Sequence, residues 1–323
     1  MGRTILVALG GNAIKRSDES GSSEEQFRNC WKTTKHISEI VRGLDRDDRL
    51  IITHGNGPQV GNLMVQQKSA EDVVPAQPMD VVGAMTQGQI GYMLQQTLRN
   101  HLRNIHLDIP VCAIVNQVLV NKDDPEFSDQ NASKPVGNYL TAEEATEMKK
   151  NNPQYIIKQV KPNGERCWRR TVPSPDPIAN IEAAVIKKMV GAGIIVIASG
   201  GGGIPVLEDE EGNYQGIEAV IDKDLAGAKL AQIVSADIFL ILTDVEEVKL
   251  NYGKATEKGV NAMTYEEAKR YFDEGQFLAG SMGPKVEACL RFLENGGEKA
   301  IIASLDKAFE ALRGQSGTTI LKD

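Results

Sequence analysis

The chain has 323 residues, 41% of them hydrophobic and 25% charged, with a formal net charge of −8. Those proportions exclude a disordered or fibrous chain, and the length suits about two domains or one large α/β domain carrying an insertion. The acidic balance argues against nucleic acid and anionic membranes as partners while leaving room for a local cationic pocket.

Thr4 to Leu9 is a continuous apolar run ended by Gly10, Gly11 and Asn12, the pattern of a strand buried on both faces. The run is too short for a signal peptide and no stretch approaches the roughly 20 apolar residues of a membrane span. Cys30, Cys112, Cys167 and Cys289 are far apart and form no CxxC pair, so they read as free thiols in a reducing compartment, and a cytoplasmic location is expected. Phe27, Trp31, Thr34, Ile37, Val41 and Leu44 share one helical face, as do Ile90, Leu94, Leu98 and Leu102. Further apolar runs at Leu50–Thr53, Val111–Val115, Ile194–Ala198, Ile238–Thr243 and Ala300–Ala303 alternate with such helices. This alternation predicts an α/β fold with an open, mainly parallel sheet and helices on both sides.

Two segments depart from it. Asn121 to Val172, with KDDPEF, NNPQ and KPNGERCWRR, reads as an inserted subdomain or lid over the active site. Leu207 to Gly216, LEDEEGNYQG, reads as a hairpin or surface loop.

The stretch EAVIDKDLAGAK, Glu218 to Lys229, carries the densest signal. Val220 and Ile221 are expected to close a strand, and Ala226, Leu230, Ile233 and Val234 recur at helical spacing. Asp222, Lys223 and Asp224 then fall at a strand-to-helix turn, where open α/β sheets place ligands. Lys223 between two carboxylates stays protonated, and one of these carboxylates could orient a second lysine. The alternative is a solvated turn with Asp224 as helix cap.

Four glycine clusters are expected at strand ends: Gly10-Gly11-Asn12, His54 to Gln59, Gly200 to Gly203, and Gly280 to Lys285. Glycine lets backbone N–H groups approach an anion, and four clusters would converge on one sheet edge. Lys285 opens an amphipathic helix, where a cation is misplaced unless an anion lies nearby. Lys134, in SKPVG of the insertion, reads either as a flexible loop charge or as part of the same site. His54, among glycines and without a paired Asp, reads as a hydrogen-bonded structural histidine rather than a general base. The remaining histidines form no metal spacing. There is no GxxxxGK[ST] and no HRD or DFG, and GGGIP stands where a dinucleotide fingerprint needs GxGxxG.

Taken together, VALGGNA, THGNGPQVG, PMDVVGAMTQGQIGYMLQQ, SKPVGNYL, ASGGGGIPV, EAVIDKDLAGAKLA, LTDVEEVKLNYGK and GSMGPKVEA make the chain resemble the carbamate kinases of the amino-acid kinase superfamily, from about Thr4 to Ile320. The resemblance implies an open αβα sandwich over residues 1–323, a protruding subdomain at about 121–172, and a homodimer. It implies reversible phosphoryl transfer between carbamoyl phosphate and ADP, giving ATP and carbamate, with Mg2+ on the nucleotide, in arginine catabolism through the arginine deiminase pathway. Carried over residue by residue, Gly10, Gly11, Asn12, Gly55 and Asn56 would hold the phosphoryl group and the carbamoyl end, and Lys134 would reach in from the subdomain. Lys223 and Lys285 would neutralise the transferring group from two sides, oriented by Asp224. Gly200, Gly201, Thr243, Asp244, Val245, Tyr252 and Met282 would belong to the nucleotide site. Acetylglutamate kinases carry a lysine on the first strand where this chain has Ala8, and Lys223 would replace that charge, a swap carbamate kinases share.

Overall fold

A computed structural model describes residues 2–16, 18–128, 130–278 and 280–322; the side chain of Asn12 lies outside what it describes. Along the chain the helices are α1 (Ser23–Arg42), α2 (Gly57–Ala70), α3 (Met79–Asn104), α4 (Ala142–Asn151), α5 (Ala183–Gly191), α6 (Lys223–Ile233), α7 (Tyr265–Asp273), α8 (Met282–Glu294) and α9 (Ala308–Leu312). The main sheet runs, edge to edge, through Ala262–Thr264, Thr318–Leu321, Lys299–Ser304, Ile238–Thr243, Thr4–Leu9, Arg49–His54, Ile195–Ile197 and Val111–Ala113. Every pairing in it is parallel except that between Lys299–Ser304 and Thr318–Leu321.

The strands are apolar throughout because both faces are covered. Leu6, Ala8, Ile51, Val196, Phe239 and Ile241 pack with α5, α6 and α8 residues such as Ile186, Leu230, Val286 and Leu293. Their neighbours in sequence, Ile5, Val7, Leu9, Ile52, Ile197, Leu240 and Leu242, pack on the opposite side with Ile37 and Ile40 of α1 and with Ile90, Leu94 and Leu98 of α3. Successive side chains on a strand point to opposite faces, so one apolar run feeds two cores. The architecture is an αβα sandwich. A smaller sheet joins Tyr214–Gly216, Ile204–Glu208, Gln117–Leu119 and Ala179–Asn180, and its outer pair is the hairpin expected at 207–216. A separate antiparallel sheet orders Lys134–Leu140, Trp168–Val172 and Ile156–Gln159 beside α4.

Four expectations need correction. Val220 and Ile221 do not close a strand: the segment after Gly216 bends at Glu218, joins no ladder, and Val220 N–H bonds singly to Pro173 O at 3.0 Å. Ile221 is buried with Val118, Val120 and Ala226, and Val220 is half-buried against Met79, Val136 and Val172. The glycine cluster at 280–285 follows α7 and opens α8 instead of ending a strand. On α1, Trp31 is exposed and Leu44 lies past the helix end at Gly43, while Cys30, Thr33 and Ile40 complete the buried face. The last described strand of the Val111 run stops at Ala113, since only Ile114 still bonds to the sheet and Val115 turns to solvent.

Candidate active site

Three strands and their loops build the site. Thr4–Leu9, Arg49–His54 and Ile195–Ile197 run side by side and in parallel, so the glycine clusters at 10–11, 55–57 and 200–203 share the carboxyl edge of the sheet. Ser199, just beyond the third of them, has a left-handed φ of +51°. A non-glycine residue is held there only when its surroundings over-determine it; Asn116 Oδ1 accepts its N–H at 2.7 Å and Asn180 Nδ2 donates to its hydroxyl at 2.8 Å. The turn brings Gly201, at φ +68°, against Asn56: a Cβ there would lie 2.1 Å from Asn56 Nδ2. Asn56 in turn donates to Thr86 Oγ1 at 2.9 Å.

The triplet Asp222-Lys223-Asp224 stands at the start of α6. Asp222, not Asp224, is the cap: its Oδ1 accepts the N–H groups of Asp224 at 2.9 Å and Leu225 at 3.3 Å. Asp224 is therefore free for the lysines. Only 3% exposed, it accepts Lys223 Nζ on Oδ1 at 2.6 Å and Lys285 Nζ on Oδ2 at 3.0 Å. Lys134, the first residue of its strand, donates to Asp222 Oδ2 at 2.6 Å. Three ammonium groups on two carboxylates leave one positive charge in a largely buried cluster.

Burial pushes Lys223 below the ordinary lysine range; Asp224 opposes this and the Lys285 charge reinforces it. Burial pulls Lys285 the same way, but Asp224 outweighs it and holds Lys285 above its ordinary value. Burial alone would raise Asp222, yet Lys134 keeps it below the usual carboxylate range. A buried cluster with one uncompensated cation is stabilised by an incoming anion.

Two cavities open at this edge. One, of about 610 Å3, is lined by Asn56, Gly57, Asp80, Lys134, Arg169 and Gly201. The other, of about 800 Å3, is lined by Gly10, Gly11, Lys223, Thr243, Asp244 and Lys285. Lys223 lines the larger cavity, and its Cδ lies 3.1 Å from where a Cβ on Gly55 would stand. The helices entering the cavities differ in their caps: α6 is capped by Asp222, whereas neither Asn56 before α2 nor Ser281 before α8 caps its helix with a side chain. Uncapped amino termini leave N–H donors and a positive dipole end for a bound anion.

The sequence-derived residues divide accordingly. Lys223, Asp224 and Lys285 come together with Gly10, Gly11 and Gly55, and Lys134 joins them through Asp222. Asn12 can be placed only by its backbone, in the turn at Gly11–Ala13. Thr243 and Asp244 line the larger cavity, Val245 and Tyr252 are exposed, and Met282 packs against the core beneath α6 and α8. Gly200 and Gly201 stand apart from Thr243: their strand is three positions away in the sheet, roughly 14 Å at the usual spacing, and Gly201 borders the Lys134 cavity. His54 is buried with Nδ1 2.9 Å from Gly55 O, and burial lowers its pKa to about 4, so it is a neutral structural group. Sequence reading missed Asp222 as cap and as the partner of Lys134; the N-cap rule, applied two residues earlier, locates it. It also missed Arg169, which nothing in the local pattern marks.

The geometry is a cationic, glycine-rich pair of cavities, chemically suited to an anion. A family model described as "Amino acid kinase family" matches residues 3–304. The chain is 53% identical to carbamate kinase of Thermococcus kodakarensis, over 99% of this chain and 100% of that one, and 51% identical to that of Pyrococcus furiosus, again over 99% and 100%. Among solved structures it is similar to carbamate kinase from Giardia lamblia bound to AMP-PNP, with a TM-score of 0.92 and 38% identity over 100% of this chain and 99% of that one. The chain belongs to the amino acid kinase family and, within it, to the carbamate kinases.

Proposed function

We infer that this protein catalyses reversible phosphoryl transfer between carbamoyl phosphate and ADP. A terminal oxygen of the ADP β-phosphate attacks phosphorus, the bond from phosphorus to the carbamate oxygen breaks, and carbamate leaves with the electron pair, later yielding CO2 and ammonia. The observation that carries this reading is the single carboxylate of Asp224 holding Lys223 and Lys285 together at the glycine-rich sheet edge. Charge on a transferring phosphoryl group is spread over its oxygens, so catalysis rests on positioning and electrostatics. Lys223 and Lys285 stabilise that charge, and backbone N–H groups of Gly10, Gly11, Gly55 and Asn56 hold the phosphoryl oxygens. Lys134 binds carbamoyl phosphate from the smaller cavity. Thr243 and Asp244 meet the nucleotide from the larger one, with Val245, Tyr252 and Met282 closing on it. No phosphoenzyme is involved: His54 is inaccessible and neutral, and burial pushes the Cys289 thiol up.

Among the described residues no group of three or more His, Cys, Asp or Glu side chains is placed to hold a metal ion. The oxygens of Asp222 and Asp224 are engaged by lysines and helix N–H groups. In this reading Mg2+ arrives with the nucleotide, as MgADP or MgATP, because Mg2+ is usually held largely by substrate phosphates.

Residues 121–172 act as a subdomain over the smaller cavity, a reading supported by the separate sheet that carries Lys134. The protein works as a homodimer through α3, whose exposed stripe Val81, Met85, Gly88 and Tyr92 is largely apolar and flat at Gly88. It acts in the cytoplasm, in keeping with four free cysteines. There it makes ATP in arginine catabolism, because carbamoyl phosphate is the stronger phosphoryl donor. The test is ATP formation from MgADP with carbamoyl phosphate and, in parallel, acetyl phosphate. Rapid synthesis from carbamoyl phosphate supports the assignment; a folded protein that binds ADP and makes no ATP from it refutes it.

A further inference from the structure

The geometry points to Asp222 as a positioning residue that fixes Lys134 against the reacting groups, doing for the carbamoyl phosphate lysine what Asp224 does for the other two. This rests on the reading of Lys134 as a substrate-binding cation. The two oxygens of Asp222 have different partners. Oδ1 closes the first turn of α6, and Oδ2 takes Lys134 Nζ at 2.6 Å across 88 residues of chain. The helix it caps begins with Lys223 and Asp224, so one side chain sets both the start of the catalytic helix and the place of a lysine borne by a different sheet.

The bond to Asp222 uses one of three ammonium donors, and Lys134 Nζ makes no other hydrogen bond to the described residues. Its side chain remains 33% exposed and lines the smaller cavity, so two donors stay available to an anion there. A long lysine side chain loses substantial rotamer freedom on binding, and fixing it beforehand removes that cost from the binding step. A second link runs parallel: Arg170 pairs with Glu218 just ahead of the triplet and stacks on the Tyr155 ring at 3.7 Å. Capping does not require a charge, since Ser and Asn serve as well as Asp. The charge of Asp222 therefore has its use toward Lys134.

Asp222→Asn and Asp222→Ser keep the cap and remove the charge. Each is expected to raise the KM for carbamoyl phosphate roughly tenfold, the scale of one charge-assisted hydrogen bond, with the KM for ADP and the urea midpoint nearly unchanged. Lys134→Ala raises the same KM, and adding Asp222→Asn to it raises that KM by much less than it does alone, because Lys134 is the group that Asp222 positions. If Lys134→Ala raises the KM and Asp222→Asn does not, or if the two effects multiply, the role of Asp222 is overturned while the substrate role of Lys134 stands. An unchanged KM in Lys134→Ala overturns both.

Discussion

Lys285 reaches Asp224 from 61 residues further along the chain and bonds at 3.0 Å to the carboxylate oxygen that Lys223 leaves open. Two cations thus share one buried anion. That pairing defines how the cluster responds when any member is removed.

Lys223→Ala and Lys285→Ala should each lower kcat about 10²- to 10³-fold, the usual cost of one oxyanion-stabilising group, in proteins that still fold. Asp224→Asn should lower kcat too and also destabilise the fold, by about 3–5 kcal/mol if it behaves like other broken buried pairs. Steady-state kinetics and urea denaturation separate the two; near wild-type turnover in either lysine variant removes the role assigned to it.

Activity should fall on the alkaline side at a pH below the ordinary lysine value. Lys223 is held below that value by burial while Lys285 is held above it, so Lys223 loses its proton first as pH rises. The apparent constant belongs to the Lys223–Asp224–Lys285 cluster and is read from kcat/KM against pH. Lys223→Arg, weaker but unable to deprotonate in this range, should lose that limb.

Stability should decline in mild acid partly through His54. Its folded pKa of about 4 lies below the ordinary value of 6.5, so the unfolded chain takes up a proton first as pH falls. Nothing is contributed above pH 6.5, and stability drops between 6.5 and 4, by on the order of 3 kcal/mol in full. Urea midpoints of the wild type and His54→Gln at pH 7 and pH 5 test this: the variant's smaller difference is the expected result.

Gly201→Ala should impair substrate binding without touching a charge. The position has φ +68°, and an added Cβ would meet Asn56 Nδ2 at 2.1 Å. Asn56 must move, and the loop must strain. A rise in KM for carbamoyl phosphate of tenfold or more is expected, and unchanged kinetics would show that Asn56 does not hold the substrate.

Met85→Lys should separate the proposed dimer. Met85 is 43% exposed in the middle of the α3 stripe, and a charge there is unpaired at a two-fold contact. Analytical ultracentrifugation reports the mass directly; a wild-type monomer or an intact variant dimer counts against the interface.

Much of this molecule is determined by short-range sequence pattern. Runs such as Thr4–Leu9 and Ile238–Thr243 are apolar without alternation because helices cover both faces, so strand, layer order and sheet edge were all legible. The glycines after them and the lysines near them marked the edge at which the two cavities open. Tertiary structure alone decided the rest. Val220 and Ile221 have the composition of a strand end, but a strand needs a ladder partner, and that depends on what lies alongside. Gly200 and Gly201 share their chemistry with Gly10 and Gly11, yet the order of strands places them beside Asn56 and away from Thr243. Which aspartate serves which lysine is likewise absent from DKD as a string: Asp222 turns to cap α6 and meet Lys134, and Asp224 is left for Lys223 and Lys285. Hydrogen-bond partners are chosen by direction and distance across the folded chain, and neighbouring letters do not encode either.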